Sequence, residues 1–335
     1  MSPPAIRILG RNHVMDILEA SKFESFEIIR NVYESFGRGE VVNPHSLFLV
    51  PNATEQARVI ALPAAISSDP DSMGIKWIAS FPQNVSRGLE RASAIIVLND
   101  PQTGFPIAII EGAVISAWRT ALSAALACAH LDCEKKARHL AVIGCGLIAE
   151  HTVRELKHQG WNFRKIAIFD SAPARAETFG EALKDDSNQI NICKDASEAV
   201  RQGEVVVFAT TAGAPWFDDL DALSHNPVVL HLSLRDLSPR IVYGSDNYVD
   251  DVEHASRART SLQLSIKQYG DDAVAVTDMF TLLARSNLRK RACPAIFSPF
   301  GLGMLDIALS SFVLRKSKEA GIGQLLDDFF GTTSC

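Results

Sequence analysis

Residues 144–149, Gly-Cys-Gly-Leu-Ile-Ala, set a G-x-G-x-x-A spacing between an apolar run, LAVI, and a helix-like run, LIAEHTVRELKHQG. In a strand–turn–helix unit the first glycine permits the tight turn. The second lets the backbone approach a pyrophosphate, and the small third residue lets helix and strand pack closely. The helix N-terminus adds N–H donors and the positive end of its dipole. A purely structural glycine turn has the same form, so the spacing alone is a weak signal. The next apolar run, FRKIAIFD, strengthens it, because it ends in Asp170, 26 residues after Gly144. A carboxylate at that place accepts from the ribose hydroxyls of NAD and repels the 2′-phosphate of NADP. NAD is therefore the expected cofactor, with Arg175 the nearby residue able to accommodate NADP. Cys145 reads as a small filler whose thiol a helix N-terminus would make more acidic.

Two further charges stand in apolar surroundings. Arg119 lies near the middle of GAVISAWRTALSAALACAHL, residues 112–131. The segment has the length of a membrane span, but a central Arg costs about 2.5–3.5 kcal/mol on insertion scales. A buried helix rich in small residues is the expectation. A buried guanidinium without a partner is costly, so Arg119 requires a carboxylate, from the protein or from a ligand. Its planar fork suits an α-carboxylate. Asp236, in LHLSLRDLSPRI, follows a predicted strand, and ligands of open α/β sheets bind at the carboxyl ends of strands. Asp236 is thus either a site carboxylate or an N-cap for the next turn.

These residues need a scaffold. Residues 12–39 predict a helix ended by Gly37 and Gly39. From 41 to 111 short β-like runs (SLFLV, ARVIAL, MGIKWIAS, SAIIVLND) are separated by turn residues, and 99–112 reads as a hairpin. After the 112–131 helix the pattern alternates strand and helix to about residue 300, with EVVVFATT, PVVLHLSL and YVDD as further strands. A last helix is predicted over 303–321. The fold class expected is α/β: a Rossmann dinucleotide-binding domain, 126–305, inserted into an α/β substrate-binding and dimerisation domain built from 1–125 and 306–335.

The bulk composition agrees with such an enzyme. The chain has 335 residues, 47% of them hydrophobic and 21% charged, ordinary values for a globular protein. A net charge of −6 provides no basic field for nucleic acid or an anionic membrane. Six cysteines show no C-x-x-C pair and no metal-ligand spacing. No metal is expected, and the thiols read as reduced, as in a cytoplasmic protein. The first residues, MSPPAIRILG, lack the apolar core of a signal peptide.

GIKWI (74–78), ERASAIIVLNDPQTGFPIAIIEG (90–112), SAWRTALSAALA (116–127), VIGCGLIA (142–149) and FGLGMLDIA (300–308) resemble the ornithine cyclodeaminase/μ-crystallin family, in order and over almost the whole chain. The GIKWI, ERAS and LNDP segments resemble in particular a branch that oxidises N-(2-amino-2-carboxyethyl)-L-glutamate with NAD. The resemblance implies a homodimer paired through substrate domains and a small amino-acid-like substrate with several carboxylates. It places Lys76 beside the substrate at the end of a strand, where it would hold a carboxylate, polarise an imine or orient water. Read without the resemblance, Lys76 is equally a solvated strand lysine. The family's catalytic aspartate aligns with Asp236, which would accept the amine proton as hydride leaves.

For carboxylate binding the resemblance implies Arg119, and more weakly Arg58 and Arg91, each equally readable as a surface arginine. Around the cofactor it implies Arg119, Thr120, Gly144, Cys145, Gly146, Leu147, Ile148, Asp170, Ser171, Arg175, Thr210, Thr211, Ser233 and Gly303. The chain departs from the cyclodeaminases, which usually carry an Arg just before the segment reading NPHSLFLV here and a Lys within the one reading FSPFGLG. Cyclodeaminase activity is therefore not the expectation.

Overall fold

The computed structural model describes residues 4–51, 57–68, 71–132, 134–185, 188–257, 259–285, 289 and 292–331. It divides into two units, 1–119 with 302–335 and 120–301. The divisions fall at residues 119/120 and 301/302, a few residues ahead of the bounds expected from sequence.

The first unit opens with β1 (Ile6–Leu9), α1 (Arg11–Ala20) and α2 (Lys22–Gly37). The single helix expected over 12–39 is two helices, because Ser21 leaves the helical region at φ −130°, ψ 36° and serves as C-cap of one and N-cap of the other. Then come β2 (Val41–Val42), β3 (Leu47–Leu49), β4 (Arg58–Ile66), β5 (Ser72–Ser80), β6 (Ala92–Asn99), β7 (Pro106–Glu111) and the start of α3 (Gly112–Leu131). The second unit continues with β8 (His139–Ile143), α4 (Leu147–His158), β9 (Lys165–Phe169), α5 (Pro173–Leu183), β10 (Gln189–Ile192), α6 (Ala196–Val200), β11 (Val205–Phe208) and β12 (Val228–His231). It closes with α7 (Pro239–Tyr243), β13 (Asp246–Val249), α8 (Val252–Ala255), α9 (Ser261–Tyr269), β14 (Val276–Asp278), α10 (Met279–Ala284) and β15 (Ala295–Phe297). The chain then returns to the first unit with α11 (Gly303–Glu319) and β16 (Gln324–Leu326).

The first unit's sheet runs β16-β1-β7-β6-β5-β4-β2, with β3 also on β4; β1 and β7 are parallel and the other pairs antiparallel. Successive side chains of a strand point to opposite faces. In β6, Ala94, Ile96 and Leu98 are buried while Ser93 and Ile95 are exposed. Helix α11 packs over β4, β5 and β6 and against α2. A Cβ at Gly303 would lie 2.9 Å from the Leu62 carbonyl, so the glycine lets the first turn of α11 sit close on β4.

The second unit's sheet runs β10-β9-β8-β11-β12-β15-β13-β14, every pair parallel. Strands β8 to β12 in this order form the 3-2-1-4-5 arrangement of a Rossmann fold. Strands β8, β9, β11 and β12 are nearly continuous apolar runs, as expected of strands covered on both faces, while the edge strand β10 alternates polar and apolar residues. Helix α3, of 20 residues, is long and apolar enough to cross a membrane, but it is mostly buried inside the protein. Its small residues belong to a core.

Candidate functional site

Lys76 sits in the middle of β5, not at a strand end, paired with Leu62 on β4 and Ile96 on β6. The register extends three well-formed strands past it on both sides, which leaves it facing inward at 1% exposure. Its Nζ lies 2.5 Å from Asp306 Oδ2 and donates to Ser116 Oγ at 3.3 Å. Arg119 reaches the same carboxylate, Nε to Asp306 Oδ1 at 3.3 Å, and donates through Nη2 to Ser116 Oγ. Asp306 is fully buried in the first turn of α11, where the helix dipole favours a carboxylate. The partner that Arg119 requires is thus a protein carboxylate. Sequence reading passed over Asp306; its signal was an acid inside the apolar run GMLDIALSSF.

Burial pulls the Lys76 ammonium down to about 8; Asp306 works against that and Arg119 works with it. Two cations share one carboxylate here, so the cluster carries surplus positive charge.

Arg58 pairs with Ser80 across β4 and β5, on the same sheet face as Lys76. Arg91 donates to Ser80 Oγ at 2.8 Å. Burial lowers the pKa of both guanidinium groups, and Arg58 lowers that of Arg91 further. The two arginines therefore form a second cationic spot, about 13 Å from Lys76 at about 3.3 Å per strand residue.

In the second unit, Gly144 has φ +92°, and a Cβ there would meet the Ala209 carbonyl at 2.7 Å, so both conformation and space demand glycine. Gly146 is the N-cap of α4 with no side-chain cap, and a Cβ on it would meet nothing within 4 Å. The turn thus offers backbone N–H groups beside open space, as a phosphate requires. Leu147 is exposed at the start of α4, Ile148 is half-buried, and Ala149 is fully buried against the sheet. Asp170 follows β9. Its Oδ2 accepts from the Cys145 N–H at 2.8 Å and its Oδ1 from the Ala172 N–H at 2.9 Å, so it also ties the glycine turn to the β9 end.

Ser171 and Arg175 are exposed beside Asp170. A cleft of about 440 Å³ opens by Phe169, lined also by Asp195, Ala196, Trp216, Phe217 and Asp218. The Cys145 thiol is not acidified. Burial, and then the charge of Asp170, pushes it up to about 12. Thr120 is buried on α3, and Thr211 is exposed after β11. Gly303 belongs to the first unit, where packing on β4 accounts for it without a cofactor.

Asp236 is fully buried and caps no helix; the N-cap of α7 is Ser238. Four side chains point at its carboxylate. Thr210 Oγ1 and Trp216 Nε1 donate to Oδ1, the latter at 2.9 Å. Ser233 Oγ donates to Oδ2, and His231 Nε2 lies 3.2 Å from Oδ2. Burial pushes the carboxyl up, but His231, Ser233 and Thr210 more than offset it and hold it below the usual range. Sequence reading also missed His231 and Trp216; the signal for His231 was a polar residue closing the apolar strand PVVLHL. Cys128, Cys145, Cys193 and Cys293 form no disulfide, while Cys133 and Cys335 lie outside the described residues. No group of metal-binding side chains occurs among the described residues.

A glycine-turn Rossmann unit and a second α/β unit with a buried, cation-rich cluster define a two-unit dinucleotide-binding class. The chain belongs to the ornithine cyclodeaminase/mu-crystallin family, whose model matches residues 8–220. Among curated relatives it is similar to the N-((2S)-2-amino-2-carboxyethyl)-L-glutamate dehydrogenase of Staphylococcus aureus, 28% identical over 277 residues, 81% of this chain and 82% of that protein. Among solved structures, its fold is that of Thermococcus litoralis Δ1-pyrroline-2-carboxylate reductase in complex with NADH and L-proline. The TM-score is 0.87 at 21% identity, over 95% of this chain and 99% of that one. An archaeal alanine dehydrogenase dimer with bound NAD matches with a TM-score of 0.86 at 21% identity, over 98% and 100%.

Proposed function

We propose that the protein is an NAD-dependent oxidoreductase acting on a CH–NH bond, and that its substrate is N-(2-amino-2-carboxyethyl)-L-glutamate, released as 2-oxoglutarate and 2,3-diaminopropionate. The observation that carries the substrate class is the buried Lys76–Asp306–Arg119 cluster, two cations to one carboxylate. Buried charge without a counter-charge is unfavourable, and a substrate carboxylate removes the surplus. The Arg58–Arg91 spot on the same sheet face supports a second, distant carboxylate. The similarity to the Staphylococcus aureus dehydrogenase supports a substrate carrying three.

The second unit holds NAD. Gly144 and Gly146 and the uncapped start of α4 take the pyrophosphate, Asp170 the ribose hydroxyls, and the cleft by Phe169 the adenosine end. The bound cofactor supplies a two-electron acceptor for the hydrogen on the glutamate Cα. Asp236 receives the amine proton through the Ser233 or Thr210 hydroxyl, each of which donates to it and so can accept from the amine. Lys76 orients the water that adds to the imine, and Arg119 holds a carboxylate throughout.

The first unit also carries exposed apolar side chains opposite the Lys76 face. Trp77 and Ile95 are register partners, 43% and 46% exposed, and Leu47 and Leu49 are open on the same face of β3. Such a surface favours a homodimer, and a monomeric mass by light scattering at micromolar concentration counts against it. The function is tested by incubating the protein with N-(2-amino-2-carboxyethyl)-L-glutamate and NAD. NADH formation with one equivalent of 2-oxoglutarate by mass spectrometry is expected. No NADH with this substrate, but NADH with another amino acid, moves the assignment elsewhere in the family.

A further inference from the structure

We infer that Ser116 is a positioning residue of the cationic cluster: its hydroxyl oxygen, shared by Lys76 and Arg119, fixes the directions in which both present their remaining N–H donors to a substrate carboxylate. The last step rests on the carboxylate-binding role proposed for the cluster; the geometry does not. Ser116 lies on α3 three residues before Arg119, so the two share one helix face. It is half-buried. Lys76 comes from β5, 40 residues earlier in the chain. Lys76 Nζ and Arg119 Nη2 both donate to Ser116 Oγ, each at 3.3 Å. A hydroxyl oxygen has two acceptor lone pairs. The two cations use both, and the Ser116 hydroxyl hydrogen points away from them.

Asp306 and Ser116 divide the work. Asp306 supplies charge: Oδ2 lies 2.5 Å from Lys76 Nζ, and Oδ1 lies 3.3 Å from Arg119 Nε. Ser116 supplies direction and no charge. An ammonium group has three N–H donors. Among the described residues, the polar partners of Nζ are Asp306 and Ser116, so two directions are taken and tetrahedral geometry fixes the third. The Arg119 guanidinium is a rigid plane of five donors. The same two partners hold it at Nε and Nη2 and so set that plane. A carboxylate in place of Ser116 would cancel the surplus positive charge. An alkyl group would leave that charge undirected. A hydroxyl keeps the surplus and aims it.

The charged groups facing Lys76 are Asp306 from α11 and Arg119 from α3. Its neighbours across the sheet, Leu62 on β4 and Ile96 on β6, are apolar. An acceptor bonded to the charged form of a group favours that form. Loss of the Ser116 oxygen therefore disfavours the Lys76 ammonium, with Asp306 and Arg119 still in place.

The test follows Lys76 itself by NMR, in the whole protein labelled with 13C at the lysine Cε and without substrate. Its resonance is the one expected to titrate near pH 8, below the exposed lysines. Ser116→Ala and Ser116→Cys, the latter close in size but a weak acceptor, are each expected to lower that midpoint by about one pH unit. Ser116→Thr keeps the hydroxyl and is expected to stay near the wild-type value. The upturn of KM with pH is expected to move down by the same amount in Ala and Cys and to return in Thr. If Ser116→Ala does not fold, Ser116→Cys carries the test. A midpoint unchanged by loss of the hydroxyl overturns the inference. A midpoint as low in Ser116→Thr as in Ser116→Ala overturns it too, because packing and not the hydroxyl would then be the cause. A midpoint lowered in Ala and restored in Thr, in a protein that does not turn over N-(2-amino-2-carboxyethyl)-L-glutamate, keeps Ser116 in this role and removes only the substrate assignment.

Discussion

Asp306 and Asp236 are both fully buried carboxylates, one in each unit, and they are solvated in opposite ways. Asp306 faces two cations, Lys76 and Arg119. Asp236 faces two hydroxyls, an indole N–H and an imidazole. The first setting fixes charge: two cations face one carboxylate, and the cluster keeps a positive surplus for an anion. The second is suited to moving a proton, because every partner but the indole can both give and take one. Burial alone does not tell what a carboxylate is for; its partners do.

The largest effect expected is on turnover, from Asp236→Asn. Asn keeps size and hydrogen bonding but accepts no proton at neutral pH. A fall of roughly 10²–10⁴-fold in kcat is expected, with NADH affinity, read from fluorescence quenching, nearly unchanged. A kcat near wild type breaks the contrast and moves the proton chemistry towards Lys76. Next is Asp306→Asn, which strands two buried cations. Breaking a buried pair this way costs about 3–5 kcal/mol. The loss, measured by urea unfolding, is expected near the lower figure at pH 6.5 and smaller at pH 9, where Lys76 is neutral. Equal stability of variant and wild type at pH 6.5 would show that Asp306 is not the counter-charge.

Much of this was legible because it is local. The glycine turn, the acid after β9 and the hairpin at 99–112 are each written within about 30 residues. The family resemblance then placed Lys76 and Asp236. What was illegible depends on partners far away in sequence. Strand β1, four residues long, exists because it pairs with β7 a hundred residues on. Lys76 was expected at a strand end, since no local signal tells how far β4 and β6 extend alongside it. Asp306 looked like one polar residue in a helix until the fold set it beside Lys76 and Arg119. Cys145 was read as a small filler that a helix terminus could acidify; burial and the carboxylate of Asp170 push its thiol up to about 12 instead.

The pH dependence sharpens the contrast at a smaller scale. The folded-state Lys76 value of about 8 lies below its ordinary 10.5, so the charged form is disfavoured by folding. Between about pH 8 and 10.5 the unfolded chain still holds the proton that the folded chain has lost, so this lysine's contribution to stability improves as pH rises through that window. Substrate binding runs the other way. Above pH 8 the cluster loses the cation that attracts a carboxylate, and KM is expected to rise about tenfold per pH unit. In Asp306→Asn the rise is expected to begin at lower pH, because Asp306 supports the charged lysine. A KM flat from pH 7 to 9.5 would remove Lys76 from the binding step.

The smallest expected effect concerns a third carboxylate, Asp170, which is half-buried and accepts from the backbone N–H groups of Cys145 and Ala172. It serves as the control for the two buried acids, since among the described residues its partners are these backbone N–H groups and not cations or proton-carrying side chains. If it also takes the ribose hydroxyls of NAD, Asp170→Ala is expected to weaken NADH by about tenfold, near 1.4 kcal/mol, and to leave NADPH less affected, since the repelling charge has gone. Asp170→Asn separates the two duties. It keeps one carbonyl oxygen for the turn but loses the charge. If the carboxylate acts on the ribose, Asn and Ala should narrow the preference for NADH over NADPH to a similar degree in fluorescence titrations. If Asp170 only ties the turn together, Asn should retain most of the NADH affinity that Ala loses, with both cofactors weakened alike. A wild type that binds NADPH more tightly than NADH would contradict the assignment of this strand end at once and give the weight to Arg175.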